Sequence, residues 1–363
     1  MSSKKDLLLA LIRANPSISQ QELAEQLQLS RSAVAGHIAG LIKDGRILGR
    51  AYVLPDAKPV VCIGGANIDR KLRTLSALQM GTSNPVTQQE SYGGVARNIA
   101  ENLSRLGLPA QLLTAVGDDA AGKALLSHAE STGIDVRGCL QMVGEISGSY
   151  TALLDHQGEM LVALAHMELC EALDPVLLKN RQLSRSNATM VVADMNLPGE
   201  SLQYLLDEAR LSEIPLVFVA VSQPKMSRLP VSLAGLHLLI LNQGELEQRC
   251  GRQLSTPEAI ANASFELQAQ GVRHVIVTLG AQGVLLTDAT QQTGWRQMQA
   301  SATGVTDVTG AGDAFAAGVC WSLHQDNEDL SLACQRGLTL ANLTVQTGAT
   351  VLPTLHPSIF HEE

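Results

Sequence analysis

Aromatic side chains are few in this sequence, and charge is sparse. Phe, Trp and Tyr make up 3% of the 363 residues, so no platform on which a planar base could stack is obvious. Charged residues amount to 17% and hydrophobic residues to 45%, which excludes a disordered chain and leaves ample apolar material for a core. We expect a globular protein that is too long for one minimal domain.

Paired cysteines and long apolar runs are also missing. The six cysteines are scattered without a CxxC pair, which argues against a disulfide framework and against a zinc site. No apolar stretch approaches the ~18 residues that a membrane-spanning helix needs. The apolar run 7–12 ends at Arg13 without a small-residue cleavage site. We therefore expect reduced cysteines, a cytoplasmic location and no membrane partner.

The charge is distributed unevenly along the chain. Residues 1–57 contain seven Lys/Arg and five Asp/Glu, a balance of +2, whereas residues 58–363 contain 19 and 30, a balance of -11. The composition changes at the same place, since 55–59 is a proline-containing stretch typical of a linker. We predict a small domain over 1–57 and a large domain over 58–363.

The first 45 residues have the pattern of three short helices. Ser19 and Glu22 form a capping box that begins the second helix, Ser30 caps the third, and Gly45 ends it. Apolar residues recur at helical spacing between these signals, and only Gln28 and Leu29 separate the second helix from the third. This connection is typical of a helix-turn-helix.

Residues 46–53 follow with the pattern of a short hairpin, so the segment resembles the winged helix-turn-helix family of DNA-binding domains. The resemblance implies that the third helix enters the major groove and that the hairpin contacts the backbone. The residues that it would bring near DNA are Ser30, Arg31, Ser32, Lys43, Arg46 and Arg50. The alternative is a docking or dimerisation module, because a balance of +2 is weak support for nucleic acid binding.

From Val60 onward, short apolar strands alternate with helical stretches. We predict strands at 60–64, 112–116, 190–193, 216–221, 238–241 and 275–278. This alternation indicates an α/β fold with a mostly parallel, doubly wound sheet, which binds ligands at the carboxyl ends of its strands. Residues 149–155 and 160–165 flank a turn and predict a hairpin outside the parallel order, which could form a lid over the site.

The run Asp307 to Gly318 carries the most chemical information. Gly310, Ala311 and Gly312 lead directly into an apolar helix, so unpaired N–H groups and the positive helix end converge where an anion could bind. Asp313 stands at that place, where a carboxylate is unfavourable unless it accepts a proton from an attacking hydroxyl. The alternative for this run alone is a glycine turn whose aspartate caps the helix.

Two runs near the start of the large domain offer groups for a polyol. Gly93 and Gly94 allow close approach of a ligand and precede Asn98 on a helix, while Asn67 and Asp69 follow the first strand. A carboxylate there can accept hydrogen bonds from two hydroxyls of one sugar. For each run taken alone, a turn with a polar cap is the favoured interpretation. No GxGxxG fingerprint and no Walker A sequence is present.

Two further runs follow predicted strands and therefore occupy ligand-facing ends. Asn242 and Glu245 follow the strand 238–241, and the run from Thr278 to Gly283 follows the strand at 275–277. Glu245 could hold magnesium through water, because Mg²⁺ keeps several waters and needs few protein carboxylates. The alternative is a solvated helix start.

Together, GGVARN at 93–98 and DVTGAGD at 307–313 resemble the signatures of the ribokinase-like (PfkB) carbohydrate kinase family, in the expected order and separation. The resemblance covers about 60–353 and implies a three-layer α/β/α fold with a small β lid. It implies that Asp313 is the general base, that Gly310, Ala311 and Gly312 form the anion hole, and that Asn67, Asp69, Gly93, Gly94 and Asn98 hold the acceptor. It also implies ATP with Mg²⁺ along Asn242, Glu245, Thr278, Gly280 and Gly283.

The resemblance further matches Asp307 and Thr309 to a loop that binds a monovalent cation in ribokinase-like members, which makes K⁺ a candidate cofactor. At the position of Arg97 ribokinases have a small residue, so this run resembles that of nucleoside kinases of the pseudouridine type more than that of ribokinases. The expected acceptor is thus the hydroxymethyl group of a nucleoside or a sugar. Tyr92 and Tyr150 lie next to the proposed substrate and lid segments, and the alternative for either is an ordinary core residue. The alternative function is a transcription regulator that uses a kinase-like domain as its sensor. A homodimer through the lid is expected.

Overall fold

A computed structural model describes residues 3–48, 58–288, 294–301, 304–325 and 329–360. The α-helices are α1 Lys4–Ala14, α2 Gln20–Leu27, α3 Arg31–Lys43, α4 Val95–Arg105, α5 Ala120–Ser131, α6 Pro175–Asn180, α7 Gln182–Ser186, α8 Gly199–Ala209, α9 Gln243–Cys250, α10 Pro257–Ala269, α11 Ala311–His324 and α12 Leu330–Val345. The strands are β1 Val60–Ile63, β2 Asn67–Thr74, β3 Val86–Gly93, β4 Ala110–Leu113, β5 Ala115–Gly117, β6 Leu140–Met142, β7 Ser149–Leu154, β8 Met160–His166, β9 Met190–Asp194, β10 Leu216–Val219, β11 Leu238–Asn242, β12 His274–Thr278, β13 Val284–Asp288 and β14 Trp295–Met298.

The first three helices pack around a core of their own, which includes Leu8, Ile12 and Val34. The predicted caps are confirmed: Ser19 and Glu22 form a reciprocal capping box, and the Ser30 hydroxyl accepts the Ala33 N–H at 3.2 Å. Gln28 ends α2 in the left-handed conformation, which turns the chain sharply into α3. The predicted wing lies mostly outside the described residues, as does the boundary at 57/58, so both stay predictions.

The large domain is built on a sheet with the strand order β14-β13-β12-β11-β10-β9-β1-β4. Six neighbouring strands of this sheet run parallel, namely β12, β11, β10, β9, β1 and β4. At the β12 edge, β13 and β14 are added in antiparallel orientation. The central strands are apolar and buried because helices cover both faces. In β1, for example, Val60 and Cys62 join a core with α4, α5, α11 and α12, while Val61 and Ile63 join a core with α6, α8, α9 and α10.

A second sheet, in the order β3-β2-β7-β8, forms the lid. The hairpin predicted at 149–155 and 160–165 is confirmed as β7 and β8. Strands β2 and β3, by contrast, are not among the strands that the sequence predicts. Their sequences, NIDRKLRT and VTQQESYG, lack the apolar alternation of a strand packed on a core, because the lid faces a cleft and solvent. The single strand predicted at 112–116 is wrong in one respect: it is divided into β4 and β5, and β5 pairs with β6 in a separate sheet.

Helices α11 and α12 pack closely against each other at a pair of glycines. A Cβ on Gly318 would lie 2.8 Å from the Gly337 Cα and 3.0 Å from the Arg336 carbonyl oxygen. These are backbone atoms that cannot rotate away, so a side chain here must push the helices apart. This contact fixes α11, whose first turn lies at the end of the sheet where the predicted site residues meet.

Gly318→Val should therefore destabilise the large domain by about 1–3 kcal/mol, the usual cost of overpacking. Equilibrium urea unfolding followed by Trp321 fluorescence measures this, since Trp321 is buried on α11. Ser127→Val on the exposed face of α5 is the control and should change the free energy of unfolding by less than about 0.5 kcal/mol. Equal stabilities for the two variants would show that the helices tolerate separation.

Candidate active site

Asp313 lies in the first turn of α11, which begins after a tight glycine turn. Gly310 has φ of +80°, and a Cβ there would lie 2.1 Å from the Thr350 carbonyl oxygen, so only glycine fits. By contrast, no atom lies within 4 Å of a Cβ built on Gly312, which is exposed. The helix therefore opens toward free space at its N-terminal end.

The free N–H groups at this helix start are not quite those expected. The Ala311 N–H donates to the Val308 carbonyl at 3.2 Å, so it is already satisfied. Within the described part of the chain, the N–H groups of Gly312 and Asp313 have no acceptor. The free N–H groups of Gly312 and Asp313, together with the helix dipole, could therefore attract an anion, and the anion hole at Gly310, Ala311 and Gly312 stays a prediction.

The Asp313 side chain is held by Asn98, whose amide nitrogen donates to Oδ2 at 2.7 Å. Burial raises the pKa of Asp313 to about 7, and the charges of Asp194 and Asp69 act in the same direction. The Asn98 hydrogen bond and the positive charge of Arg97 oppose this rise. A carboxyl group with such a pKa can accept a proton at neutral pH and return it. The carboxylate does not cap its helix, so the capping alternative is not realised.

Arg97 is turned inward and orients Asn98. Its guanidinium is 2% exposed, pairs with Glu101 at 2.6 Å, and donates from Nε to the Asn98 Oδ1 at 3.2 Å. The amide of Asn98 is therefore fixed with its nitrogen toward Asp313. Sequence reasoning missed this role of Arg97, although the i, i+4 spacing of Arg97, Glu101 and Arg105 was a signal for it.

A second residue that sequence reasoning missed is Asp194, at the end of β9. It is 1% exposed and accepts backbone N–H groups of Gly65, Ala96 and Asn196 at 2.8–2.9 Å. It lies directly under Gly64, where a Cβ would come within 2.3 Å of its carboxyl carbon. Burial raises its pKa, and the three N–H groups counteract that rise. Asp194 thus ties the end of β1 to the start of α4.

The predicted acceptor residues converge beside this junction. Asn67 donates to Asp69 at 2.6 Å, and Asp69 lies against Gly93, where a Cβ would be 2.2 Å from Oδ2. Gly94 has φ of +101° and begins α4 without a side-chain cap. Burial raises the pKa of Asp69. Tyr92 stacks on His128 at 4.3 Å and belongs to the core, so of the two tyrosines only Tyr150 faces the cleft.

Between the lid and the 306–309 loop lies a cleft of about 770 Å³. One face of the lid lines it, because Asp69, Lys71, Gln89 and Tyr150 are register neighbours on β2, β3 and β7. Asp307 and Thr309 line the other side.

The predicted nucleotide residues lie at the ends of β11 and β12. Asn242 and Glu245 form a capping box at the start of α9, in which Glu245 accepts the Asn242 N–H at 2.7 Å. Burial raises the pKa of Glu245. Thr278 ends β12, Gly280 faces open space, and a Cβ on Gly283 would lie 1.9 Å from the Met298 carbonyl oxygen. Gly283 is therefore required by the close approach of the backbone at Met298, whereas the space beside Gly280 is open to a ligand.

The loop predicted to hold a monovalent cation is occupied by a lysine. The ammonium of Lys71 contacts the Asp307 Oδ2 and donates to the Thr309 hydroxyl at 2.8 Å. Burial would raise the pKa of Asp307, but hydrogen bonds from Lys71 and Thr309 outweigh it and hold the pKa below its usual value. Sequence reasoning did not single out Lys71.

The residues expected near DNA are divided between the two ends of α3. Ser30, Arg31 and Ser32 are exposed at its start. Lys43 is exposed at its end, and Arg46 pairs with Asp6 at 3.2 Å. Gly45 lies against the large domain, since a Cβ there would be 3.0 Å from the Leu183 carbonyl oxygen. The start of α3 is thus the end farther from that contact, and Arg50 lies outside the described residues.

Comparisons with known proteins agree with this architecture. The model of the pfkB family carbohydrate kinases matches residues 57–356, and a winged helix-turn-helix DNA-binding model matches residues 3–47. An uncharacterised sugar kinase of Escherichia coli K12, YeiI, is 32% identical over 98% of this chain and 97% of its own length. The pseudouridine kinase of the same organism is 37% identical over 72% of this chain and 83% of its own length.

Among solved structures, a sugar kinase of Clostridium perfringens superposes with a TM-score of 0.72 at 25% identity, covering 85% of this chain and 96% of that one. The ribokinase-like fold with a β lid is therefore confirmed, and so is the resemblance drawn from the two signatures. The chain belongs to the pfkB family of carbohydrate kinases, ATP-dependent phosphotransferases with an alcohol group as acceptor, and its residues 3–47 belong to a winged helix-turn-helix domain.

Proposed function

We propose that the protein transfers the γ-phosphoryl group of ATP to the hydroxymethyl group of a nucleoside, with Asp313 as the general base. The observation that carries this proposal is the half-buried Asp313 carboxyl, held by Asn98 beside the free N–H groups at the start of α11. A base and an anion hole within one helical turn are what an attacking hydroxyl and a transferring phosphoryl group require.

In the reaction, Asp313 accepts the proton of the acceptor hydroxyl as its oxygen forms a bond to the γ-phosphorus. The bond from that phosphorus to the bridging oxygen breaks in line, and ADP leaves with the electron pair. The N–H groups of Gly312 and Asp313 stabilise the charge on the transferring oxygens. Little covalent chemistry is required of the protein, so positioning supplies most of the rate.

The nucleotide is assigned to Asn242, Thr278, Gly280 and Gly283, along the carboxyl ends of β11 and β12. Glu245 would hold Mg²⁺ through water, because one of its oxygens serves the capping box and a single carboxylate with phosphate oxygens suffices for this ion. When bound, Mg²⁺ neutralises phosphate charge.

A nucleoside is favoured over a free sugar by the lid face of the cleft. Asp69, with Asn67, can accept two ribose hydroxyls, and Gly93 and Gly94 let the sugar approach the backbone. Gln89 and Tyr150 line the same cleft and offer polar and aromatic contacts to the base of a nucleoside, which a free pentose lacks. The relatives named pseudouridine kinase and guanosine-inosine kinase support the same class.

Asp313→Asn should bind nucleotide but lose turnover by about 10²–10⁴-fold or more, because the general base is gone while the shape remains. A coupled ADP-release assay against a panel of nucleosides, pentoses and hexoses measures this, with calorimetry for nucleotide binding. Turnover of a nucleoside by the wild type supports the proposal. Turnover of free sugars alone would overturn the acceptor class, and absence of any turnover would favour a sensor that regulates transcription.

The pH profile should report the Asp313 carboxyl. Since the base must be ionised, kcat/KM should fall as the pH is lowered through about 7. Asn98→Ala removes a hydrogen bond that favours the ionised form, so its acid limb should move to higher pH. Asn102→Ala, one turn along α4, does not contact Asp313 and should keep the wild-type midpoint. Superimposable profiles for all three proteins would exclude Asp313 as the titrating base.

We also propose that the first domain binds DNA through the start of α3. The exposed face of this helix carries small residues, Ala35, Gly36 and Ala39, which permit close approach to a groove. Arg31 is exposed at the end that points away from the large domain and can neutralise a phosphate. Ser30 serves mainly as the helix cap, and Arg46 is engaged with Asp6.

Arg31→Ala should weaken DNA binding across sequences and reduce the slope of log K against log salt by about 1, as expected for one lost phosphate contact. Mobility shifts over a salt series measure this. Arg13→Ala removes an equally exposed cation at the end of α1 and should leave both quantities unchanged. Equal effects of the two variants would mean that only total charge matters.

A homodimer through the lid is supported by β8, an edge strand of that sheet with exposed apolar side chains. Met160 is 59% and Leu164 63% exposed. Edge strands of this kind invite pairing with another chain. None of the described helices is long and apolar enough to cross a bilayer. The six cysteines are all free, as expected, and a cytoplasmic location stays a prediction.

A further inference from the structure

The segment that leads into the anion hole is closed by a network of three side chains. The Asp307 Oδ1 accepts the Thr309 N–H at 3.0 Å and the Thr309 hydroxyl at 2.8 Å. The other oxygen, Oδ2, accepts the ammonium of Lys71, which also donates to the Thr309 hydroxyl at 2.8 Å. Both carboxylate oxygens and the hydroxyl oxygen are therefore engaged.

These contacts leave no place for a dissolved monovalent cation at the same ligands. Such an ion would need the Asp307 carboxylate and the Thr309 oxygen, and the lysine ammonium already lies on both. A potassium ion and the lysine ammonium would repel each other strongly if both contacted the Asp307 carboxylate. The side chains of Lys71 and Asp307 are only 26% and 24% exposed, so the pair is not freely screened by solvent. The residues of this chain thus do not fit K⁺ while Lys71 is in place.

We propose that the Lys71 ammonium is the built-in cation of the 307–309 loop, so that the enzyme needs no dissolved monovalent cation. Lys71 acts as a positioning residue: it fixes Asp307 and Thr309, and Val308 between them accepts the Ala311 N–H at the start of α11. The proposal rests on the proposed function in that this loop is taken to shape the phosphate site.

The location of Lys71 gives this cation a property that a dissolved ion lacks. Lys71 is on β2, in the centre of the lid sheet, whereas Asp307 and Thr309 precede α11. The ion pair therefore joins the lid to the loop before the anion hole. A dissolved ion at the same ligands would not be attached to the lid in this way.

Lys71→Met keeps most of the side-chain volume and removes the charge, which leaves Asp307 as an uncompensated, half-buried carboxylate. We expect this variant to gain a cation site. Thermal unfolding should show a Tm higher by about 2 °C or more in potassium or ammonium chloride than in tetramethylammonium chloride of equal ionic strength. The wild type should show no such difference, because its site is filled. This readout needs no acceptor, so it remains decisive if the proposed nucleoside activity fails.

Activity gives the second measurement, with the best acceptor from the panel. The wild type should change less than about 2-fold between the salts, whereas Lys71→Met should lose about 10-fold in tetramethylammonium and recover in potassium. Arg252→Ala is the control, since Arg252 pairs with Glu266 and does not line the cleft, so this variant should leave both salt responses as in the wild type. Potassium activation of the wild type would overturn the proposal. So would a Lys71→Met protein whose Tm is the same in all salts.

Discussion

The geometry of the site depends on one buried carboxylate, Asp194. It accepts backbone N–H groups from the end of β1, from the start of α4 and from its own loop. Without these hydrogen bonds, burying a carboxylate among apolar strands would cost several kcal/mol, on the order expected for an unpaired charge. Gly64 is required because any side chain would occupy the space of this carboxylate. The junction sets where α4 begins, and α4 carries Asn98, which holds Asp313. The position of Asp313, the proposed general base, thus follows from a residue that does not itself touch it.

Electrostatics then decides what the cluster can do. Burial and the negative charges of Asp69 and Asp194 make ionisation of Asp313 less favourable and raise its pKa. The buried guanidinium of Arg97, which pairs with Glu101, compensates part of this effect. With full compensation, Asp313 would be too weak a base, and without any it would stay protonated. The balance gives a pKa of about 7, suited to proton transfer near neutrality. Lys71 plays the corresponding role at the loop that precedes α11.

The two domains meet away from this centre. Gly45 approaches Leu183 in α7, and a cleft between the domains is lined by Ile47, Pro59 and Pro109, at the amino ends of the strands. The proposed catalytic residues lie at the carboxyl ends. A signal between the proposed acceptor site and the helix that we propose to bind DNA would therefore have to pass through the thickness of the sheet.

Local patterns determined much of this protein by themselves. Some features depend on neighbours in sequence: apolar strands, capping residues such as Ser19 and Ser30, and the glycines before α4 and α11. The sequence therefore predicts the parallel sheet, the helix-turn-helix and the residues near Asp313 directly. The polar lid strands β2 and β3 could not, since they pack on a cleft rather than on a core. Nor could Asp194, Arg97 and Lys71, whose roles come from partners distant in sequence or from the direction of a side chain. Only the folded chain decides that Lys71 meets Asp307, because the two are 236 residues apart and a charge finds its partner through the packing of the elements that carry it.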